Sequence, residues 1–198
     1  MPVLGITGGI AAGKTTFTHA LQSRVGADVF DADACARELL SGDREVQRLV
    51  CAQFGGGVLD ESGKPDRQRL REIVFAEPEK RRALEAILHP AIRARWTALA
   101  STAQKQWLFI DIPLLFETGA ESFFQRIVVV ACSPATQRKR LLADRQLPPL
   151  VADRMLAAQL PIDLKIQKSD HVIWNESSRH ALDEQARHFA DYLKLHHG

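Results

Sequence analysis

The segment Ile6-Thr7-Gly8-Gly9-Ile10-Ala11-Ala12-Gly13-Lys14-Thr15-Thr16 decides the fold of this chain. Its spacing, Gly8 followed after four residues by Gly13-Lys14-Thr15, fits the phosphate-binding pattern G-x-x-x-x-G-K-[ST]. Glycine has no Cβ, so the backbone can approach a polyphosphate closely and adopt positive φ angles. Inward-pointing N–H groups and the N-terminal end of the next helix then attract the anion. Lys14 would reach the β- and γ-phosphates, and the Thr15 hydroxyl would bind Mg²⁺.

The residues on either side place this loop between a strand and a helix. Val3-Leu4-Gly5-Ile6 predicts a short buried strand, and Lys14 to about Leu21 predicts a helix. The alternative is a glycine-rich turn with a structural role only. We reject it because the strand–loop–helix context is the one that phosphate binding requires.

Composition narrows the class of protein. The 198 residues are 45% hydrophobic and 25% charged, as in an ordinary globular protein large enough for one core and a small inserted module. No apolar run is long enough to span a membrane, and the three cysteines lack metal-site spacing. We therefore expect a reduced, cytoplasmic location. A net charge of +2 does not require nucleic acid or a membrane as a partner, and we expect neither.

Two carboxylates follow the second predicted strand, residues 27–30. Asp31 and Asp33 stand at its carboxyl end, where an open parallel sheet places its ligand crevice. The alternative role for Asp33 is to cap a helix that begins at Ala34. A cap alone would not explain two carboxylates facing the crevice.

Residues 34–104 contain apolar residues at helical spacing and no convincing strand, which predicts a helical insertion. Pro90 is predicted to start a new helix, with Ile92, Trp96 and Leu99 on its inward face. His89, just before it, has two possible roles, a phosphate contact or a structural residue at a helix junction.

Three further strands are predicted in the second half of the chain. Residues 107–111 form an apolar run that ends in Asp111, the position from which P-loop proteins support Mg²⁺. Residues 126–131 are rich in β-branched side chains, as in buried parallel strands, and Ser133-Pro134 then begins a helix. Residues 171–175 form the last strand and its exit at Asn175. An amphipathic helix over residues 178–195 closes the chain.

The segment between the last two strands is basic and interrupted by prolines. It contains Arg140, Lys165 and Lys168, and its helical pattern suits a mobile lid over ATP phosphates. The alternative is a solvated charged face.

Several stretches together resemble the dephospho-coenzyme A kinase family over nearly the whole chain. They are Thr7-Gly8-Gly9-Ile10 with Gly13-Lys14-Thr15, Asp31-Ala32-Asp33, Leu88-His89-Pro90, Pro113-Leu114-Leu115-Phe116-Glu117, and Gln137, Arg140, Gln159, Lys165, Ser169-Asp170 and Asn175. The chain departs from the family pattern at Ala11-Ala12 (usually Gly-Ser), Asp144-Arg145 (usually Arg-Asp) and Trp174 (usually Asp). The loop change is expected to be mild, because those positions act mainly through their N–H groups. The other two put the roles of Asp144 and Arg145, and the packing near the adenine, in question.

The resemblance implies an α/β, three-layer P-loop fold with a five-stranded parallel core sheet flanked by helices. Residues 1–33, 105–143 and 170–198 would form the nucleotide-binding core. Residues 34–104 would form a helical module that binds the acceptor, and residues 144–169 a helical lid. The implied reaction is ATP-dependent phosphorylation of the ribose 3′-hydroxyl of dephospho-CoA, with Mg²⁺, the last step of coenzyme A synthesis.

The resemblance also assigns residues to roles. Lys14, Asp33 and Arg140 are the expected catalytic residues, with Asp33 as general base and Arg140 neutralising the developing charge. The expected ATP-binding residues are Gly8, Gly9, Ile10, Ala11, Ala12, Gly13, Lys14, Thr15, Thr16 and Asn175, with Thr15 binding the metal. The expected acceptor-binding residues are Asp31, Asp33, His89, Leu114 and Glu117.

Two other functions fit part of the pattern. A nucleoside or nucleotide kinase of the same fold would use the same two aspartates with a different acceptor pocket. A nucleotide-dependent switch would leave the basic lid unexplained, and the Asn-Lys-x-Asp motif that reads guanine does not occur in the sequence.

Overall fold

The chain folds into two compact units. A computed structural model describes residues 2–102 and 106–197. One unit comprises Met1–Phe30 and Ala103–Gly198, and the other comprises Asp31–Thr102. The predicted boundary between residues 104 and 105 lies outside the described residues.

The first unit is built on a five-stranded parallel sheet, as predicted. Its strands are β1 (Val3–Gly8), β2 (Asp28–Asp31), β3 (Leu108–Asp111), β4 (Arg126–Ala131) and β5 (His171–Trp174), in the order β2-β3-β1-β4-β5. The central strand β1 pairs with β3, with Val3 opposite Leu108, and with β4, with Leu4 opposite Arg126. Five of the six residues of β4 are buried, as expected for a parallel strand with both faces covered.

Helices cover both faces of this sheet. The helices of the chain are α1 (Lys14–Val25), α2 (Ala32–Gly42), α3 (Arg44–Phe54), α4 (Arg67–Ala76), α5 (Pro78–Thr102), α6 (Pro134–Ala143), α7 (Pro149–Ala157), α8 (Ile162–Gln167) and α9 (Arg179–His197). The main core joins β1, β3 and β4 to α1 and α9. On the other face Ile162 of α8 packs against Val129 and Ala131 of β4.

The ends of the helices in this unit follow their sequence signals. Gly13 precedes α1 with a φ of 93°, and Gly26 ends α1 with a φ of 66°, both in the left-handed region that glycine tolerates. Ser133 caps α6 by accepting a hydrogen bond from the Thr136 N–H, and Pro134 occupies the first turn, as predicted. The predicted apolar stripe of α9 is buried, and it consists of Leu182, Ala186, Phe189 and Leu193.

The second unit is helical and contains α2 to α5. The prediction that Pro90 starts a helix is wrong, because Pro90 lies inside α5, which is continuous from Pro78 to Thr102. A proline in a helix interior removes one backbone hydrogen bond and is unfavourable by about 3 kcal/mol or more. Packing of α5 against α2, α3 and α4 offsets that cost, and sequence alone does not reveal this packing.

The carboxylate that caps α2 is Asp31. Its side chain accepts a hydrogen bond of 2.8 Å from the Ala34 N–H, and α2 begins at Ala32. Asp33 lies in the first helical turn, so the alternative that Asp33 caps a helix beginning at Ala34 is wrong. The side-chain oxygen of a cap reaches the third helical N–H, which sets Asp31 and not Asp33 at that position.

Within residues 2–102 and 106–197, no helix has the length and apolar character needed to cross a membrane.

Candidate functional site

The loop between β1 and α1 needs glycine at its tightest points. A Cβ on Gly8 would lie 2.5 Å from the carbonyl oxygen of Val130, and one on Gly9 would overlap the side-chain amide of Gln137. Gly13 combines a positive φ with close contact to the side chain of Asn175. These three glycines therefore allow the backbone to turn closely against β4, α6 and the exit of β5.

The carbonyl groups of the loop are held by side chains from three different elements. Each accepts a hydrogen bond from a side-chain nitrogen: Gly8 from Lys165 (3.4 Å), Ile10 from Gln137 (2.8 Å), Ala11 from Arg140 (3.2 Å) and Ala12 from Asn175 (2.8 Å). The Gly9 carbonyl accepts from the Ala12 N–H at 3.1 Å. Four carbonyl oxygens of the loop are therefore engaged by side-chain donors of the protein itself.

Two N–H groups of the loop are also engaged. Gly9 donates to the Val130 carbonyl at 3.3 Å, and Ile10 donates to the side-chain oxygen of Gln159 at 2.9 Å. Within the described residues, the N–H groups of Ala11 and Gly13 donate no hydrogen bond. The first N–H groups of α1 have no intrahelical acceptor by geometry. These amides and the helix dipole make the start of α1 an anion-binding site.

Lys14 and Asp111 form an ion pair beside this loop. Lys14 Nζ contacts Asp111 Oδ1, and the two side chains are 15% and 12% exposed. Asp111 ends β3, the strand next to β1, so the parallel sheet brings it to the edge where the loop begins. The structure therefore brings together Lys14, which was predicted to contact phosphate, and Asp111, which was predicted to support Mg²⁺.

Two oxygen-bearing side chains in this region are of the kind that magnesium prefers. Thr15 follows Lys14 on α1 and is exposed, and Asp111 supplies a carboxylate. Among the described residues, no group of three or more His, Cys, Asp or Glu side chains could hold a metal. A single hydroxyl and a single carboxylate suit Mg²⁺, which typically takes one or two protein ligands and completes its coordination shell with phosphates and water.

A basic cavity of about 230 Å³ adjoins the loop. Among its lining residues are Gly13, Thr16, Arg140, Arg145, Asn175 and Arg179. Arginine side chains are well suited to bind phosphate oxygens. The cavity brings Arg140 and Asn175, both predicted from the sequence, to the same side of the loop.

Arg140 links the loop to the exit of β5. Its guanidinium donates to the Ala11 carbonyl at 3.2 Å and to the Asn175 carbonyl at 2.9 Å. Cys132 lies beneath it, and burial raises the pKa of that thiol to about 11 even though Arg140 opposes the shift. The thiol therefore stays neutral near pH 7 and acts as packing for the arginine.

The predicted acceptor-binding residues divide between the two units. Asp31, Asp33 and His89 belong to the helical unit, and Leu114 and Glu117 belong to the sheet-based unit. His89 lies within α5, where burial lowers the pKa of its imidazole against the opposing charge of Glu85. The imidazole is therefore held toward its neutral form.

Glu117 has a structural role that the sequence did not indicate. Its Oε1 accepts from Lys165 Nζ at 2.7 Å and from the Leu160 N–H at 2.9 Å. Lys165 is fully buried, so its predicted place on a solvated or phosphate-facing lid surface is wrong. The six-residue helix α8 is too short for its sequence pattern to show which side faces inward.

The departures from the family pattern have different consequences. Ala11 has a φ of 58°, so a residue with a side chain occupies a left-handed position that glycine would adopt more readily. The expectation that this change is mild did not include that strain. Asp144 and Arg145 both line the basic cavity. Trp174 is 43% exposed, and its backbone N–H donates to the side-chain oxygen of Gln185 on α9.

Sequence reasoning also gave no role to three residues that support the site. Gln137 and Gln159 bind opposite sides of Ile10, and Glu176 binds the Ser133 N–H and hydroxyl at the start of α6. The hydrogen bonds from Ser133 lower the pKa of the Glu176 carboxyl. The contacts join positions 43 to 149 residues apart, so no local pattern could have indicated them.

Comparison with known proteins gives a consistent result. A family model described as dephospho-CoA kinase matches residues 2–181. A dephospho-CoA kinase of Thermosynechococcus vestitus is 39% identical over 182 residues, covering 92% of this chain and 90% of that protein. One of Anaeromyxobacter dehalogenans is 42% identical over 189 residues, covering 94% and 89%. The solved structure of a dephospho-CoA kinase from Campylobacter jejuni has a TM-score of 0.68 at 27% identity, covering 98% and 97% of the two chains.

Proposed function

The chain belongs to the dephospho-CoA kinase family, and we propose that it transfers the γ-phosphate of ATP to the ribose 3′-hydroxyl of dephospho-CoA, giving CoA and ADP. The observation that supports this best is the phosphate loop itself, with its carbonyls hydrogen-bonded to side chains and Lys14 placed against Asp111. Such a loop binds a nucleoside triphosphate through backbone amides and one lysine.

The donor side of the site follows from the loop. Residues Gly8 to Thr16 would surround the triphosphate, and Lys14 would exchange Asp111 for phosphate oxygens when the nucleotide binds. Thr15 and Asp111 would hold Mg²⁺, which neutralises charge on the β- and γ-phosphates when bound. Asn175, at the edge of the basic cavity, would contact the adenine side of the nucleotide.

Transfer demands positioning and charge neutralisation more than covalent chemistry. The bond from the acceptor oxygen to Pγ forms as the bond from Pγ to the β–γ bridging oxygen breaks. Arg140, whose guanidinium already contacts the loop, would neutralise the charge that develops on the phosphoryl oxygens. The Asp33 carboxylate would take the proton of the 3′-hydroxyl as general base.

The proposed acceptor-binding residues are Asp31, Asp33 and His89 of the helical unit and, separately, Leu114 and Glu117 of the segment after β3. The buried ion pair of Glu117 with Lys165 leaves Glu117 Oε2 buried and without a partner among the described residues.

The lid role proposed for residues 144–169 applies best to α7. Leu150 and Val151 on α7 are 63% and 41% exposed, whereas Lys165 of α8 is fully buried. Closure of α7 would exclude water from the γ-phosphate.

One experiment tests the proposed function directly. The protein is incubated with Mg-ATP and, in separate reactions, dephospho-CoA, AMP, adenosine or pantothenate, and each product is weighed by mass spectrometry. We expect dephospho-CoA to gain one phosphate with the highest kcat/KM and chelation of Mg²⁺ to stop the reaction. Equal efficiency with AMP or adenosine would contradict the acceptor assignment, and release of free phosphate alone would indicate a switch or an ATPase.

A further inference from the structure

The side chain of Lys165 is the most deeply buried charge near the phosphate loop. It is fully buried, and its ammonium group contacts three oxygen atoms. They are Glu117 Oε1 at 2.7 Å, the Pro113 carbonyl at 3.2 Å and the Gly8 carbonyl at 3.4 Å. Burying an ammonium group costs several kcal/mol unless an opposite charge and hydrogen bonds compensate it, and these three oxygens do so.

The contact with Gly8 fixes the first peptide of the phosphate loop. That peptide joins the Gly8 carbonyl, bound by Lys165, to the Gly9 N–H, bound by the Val130 carbonyl at 3.3 Å. The peptide is therefore held at both ends. Its orientation sets the direction in which the chain enters the loop.

The contact with Pro113 connects the same ammonium group to the segment that follows Asp111. The Pro113 carbonyl also accepts from the Thr7 hydroxyl at 3.2 Å, so it is bound from β1 and from α8. Asp111 lies two residues earlier and contacts Lys14. One buried ammonium group thus binds both the first peptide of the phosphate loop and the segment that follows Asp111. Asp111 is the carboxylate proposed to bind Mg²⁺.

We propose that Lys165 is a positioning residue for phosphate transfer, which acts by holding the Gly8 and Pro113 carbonyls so that the loop amides and Asp111 keep their relative placement. This inference rests on the proposed kinase function for its effect on turnover. Its effect on nucleotide binding follows from the loop alone. A misplacement of about 1 Å in a phosphate-transfer site can lower the rate by about 10²-fold.

Lys165→Met tests this role, because methionine fills similar space without the charge or the donors. We expect kcat to fall by about 10²-fold and the Kd for Mg-ADP, measured by calorimetry without acceptor, to rise, while KM for dephospho-CoA stays within about twofold of wild type. Arg24→Met is the matched control, since it removes a 2.7 Å ion pair between α1 and α9 that makes no loop contact. The control should lower thermal stability only.

A second variant covers the case in which Lys165→Met fails to fold because Glu117 is left uncompensated. Lys165→Met with Glu117→Gln removes that carboxylate and should show the same loss of kcat and of ADP affinity. Glu117→Gln alone keeps the ammonium on both carbonyls and should retain more ADP affinity than Lys165→Met.

Two results would overturn the inference. A folded Lys165→Met with wild-type kcat and ADP affinity, or a loss of thermal stability alone as in the Arg24 control, would reduce Lys165 to a packing residue. If wild type binds ADP but phosphorylates no dephospho-CoA, the proposed function fails, and weakened ADP binding by Lys165→Met would still support the positioning role.

Discussion

At the scale of single residues, Asp31 and Asp33 have separate local roles that make them separable by mutation. Asp31 caps α2 through the Ala34 N–H, and Asp33 lies in the first turn. Asp33→Asn should therefore leave α2 intact and lower kcat by about 10²–10⁴-fold, the usual contribution of a positioned general base. Nucleotide affinity should not change, because Lys14 and the loop hold the phosphates.

Asp31→Ala is the partner experiment. It removes the cap and should cost about 1 kcal/mol of stability, whereas Asp31→Asn can still cap. Thermal melts and steady-state kinetics on all three variants distinguish the roles. Near-normal turnover by folded Asp33→Asn would remove Asp33 from the chemistry.

The strained position of Ala11 gives a second prediction. Its φ of 58° is costly for a residue with a Cβ, so Ala11→Gly should raise the free energy of unfolding by about 1 kcal/mol. Ala12→Gly is the control, because Ala12 is buried without a positive φ and glycine should destabilise there. Urea denaturation measures both, and a destabilised Ala11→Gly would show that the loop relieves this strain in solution.

The placements that could be predicted from the sequence are those that depend on neighbours in the chain. Gly13, Lys14 and Thr15 form one local motif, and Asp111 follows from its place at the end of an apolar strand. Lys165 contacts oxygen atoms of residues that lie 48 to 157 positions away in the sequence. Its sequence neighbours indicated only a basic segment, and they led to the wrong prediction that its side chain lies at the surface.

At the scale of elements, α6 shows how one helix serves both fold and site. Its start was predictable from Ser133 and Pro134, which act on the first turn. Its inward side supplies Gln137 and Arg140 to the loop, whereas Lys139 faces solvent. Helix α5 shows the opposite case, since Pro90 lies inside it and tertiary packing overrides the local preference.

The face of α6 gives the third prediction. Arg140→Ala should lower kcat by about 10³-fold or more, as for arginines that neutralise phosphoryl charge, and should weaken ATP binding far less. Lys139→Ala, one residue away and exposed, should behave as wild type. Kinetics with ADP titration separate the two effects, and equal losses of kcat and ATP affinity would restrict Arg140 to supporting the loop.

At the scale of the whole molecule, the parallel sheet was the most predictable feature. Apolar runs ending in Asp31, Asp111 and Asn175 mark strand ends that must meet at one edge of a parallel sheet. A helical module was expected from the helical spacing of residues 34–104, and the second unit of the structure is Asp31–Thr102. The function of each unit as donor or acceptor site stays a prediction.

Hydrogen exchange tests that division of labour in the intact protein. Mg-ADP should slow exchange locally at the phosphate loop and the first turn of α1, because those amides bind the phosphates. Dephospho-CoA alone should slow local exchange within Asp31–Thr102, the helical unit.

At a ligand concentration about 100 times Kd, binding stabilises the protein by about 2.7 kcal/mol, enough for about a 100-fold change at amides that exchange through global unfolding. Short labelling times isolate the local effects, and the comparison is made peptide by peptide. Protection by dephospho-CoA confined to the sheet-based unit would contradict the assignment of residues 34–104 to the acceptor, while leaving the nucleotide site unaffected.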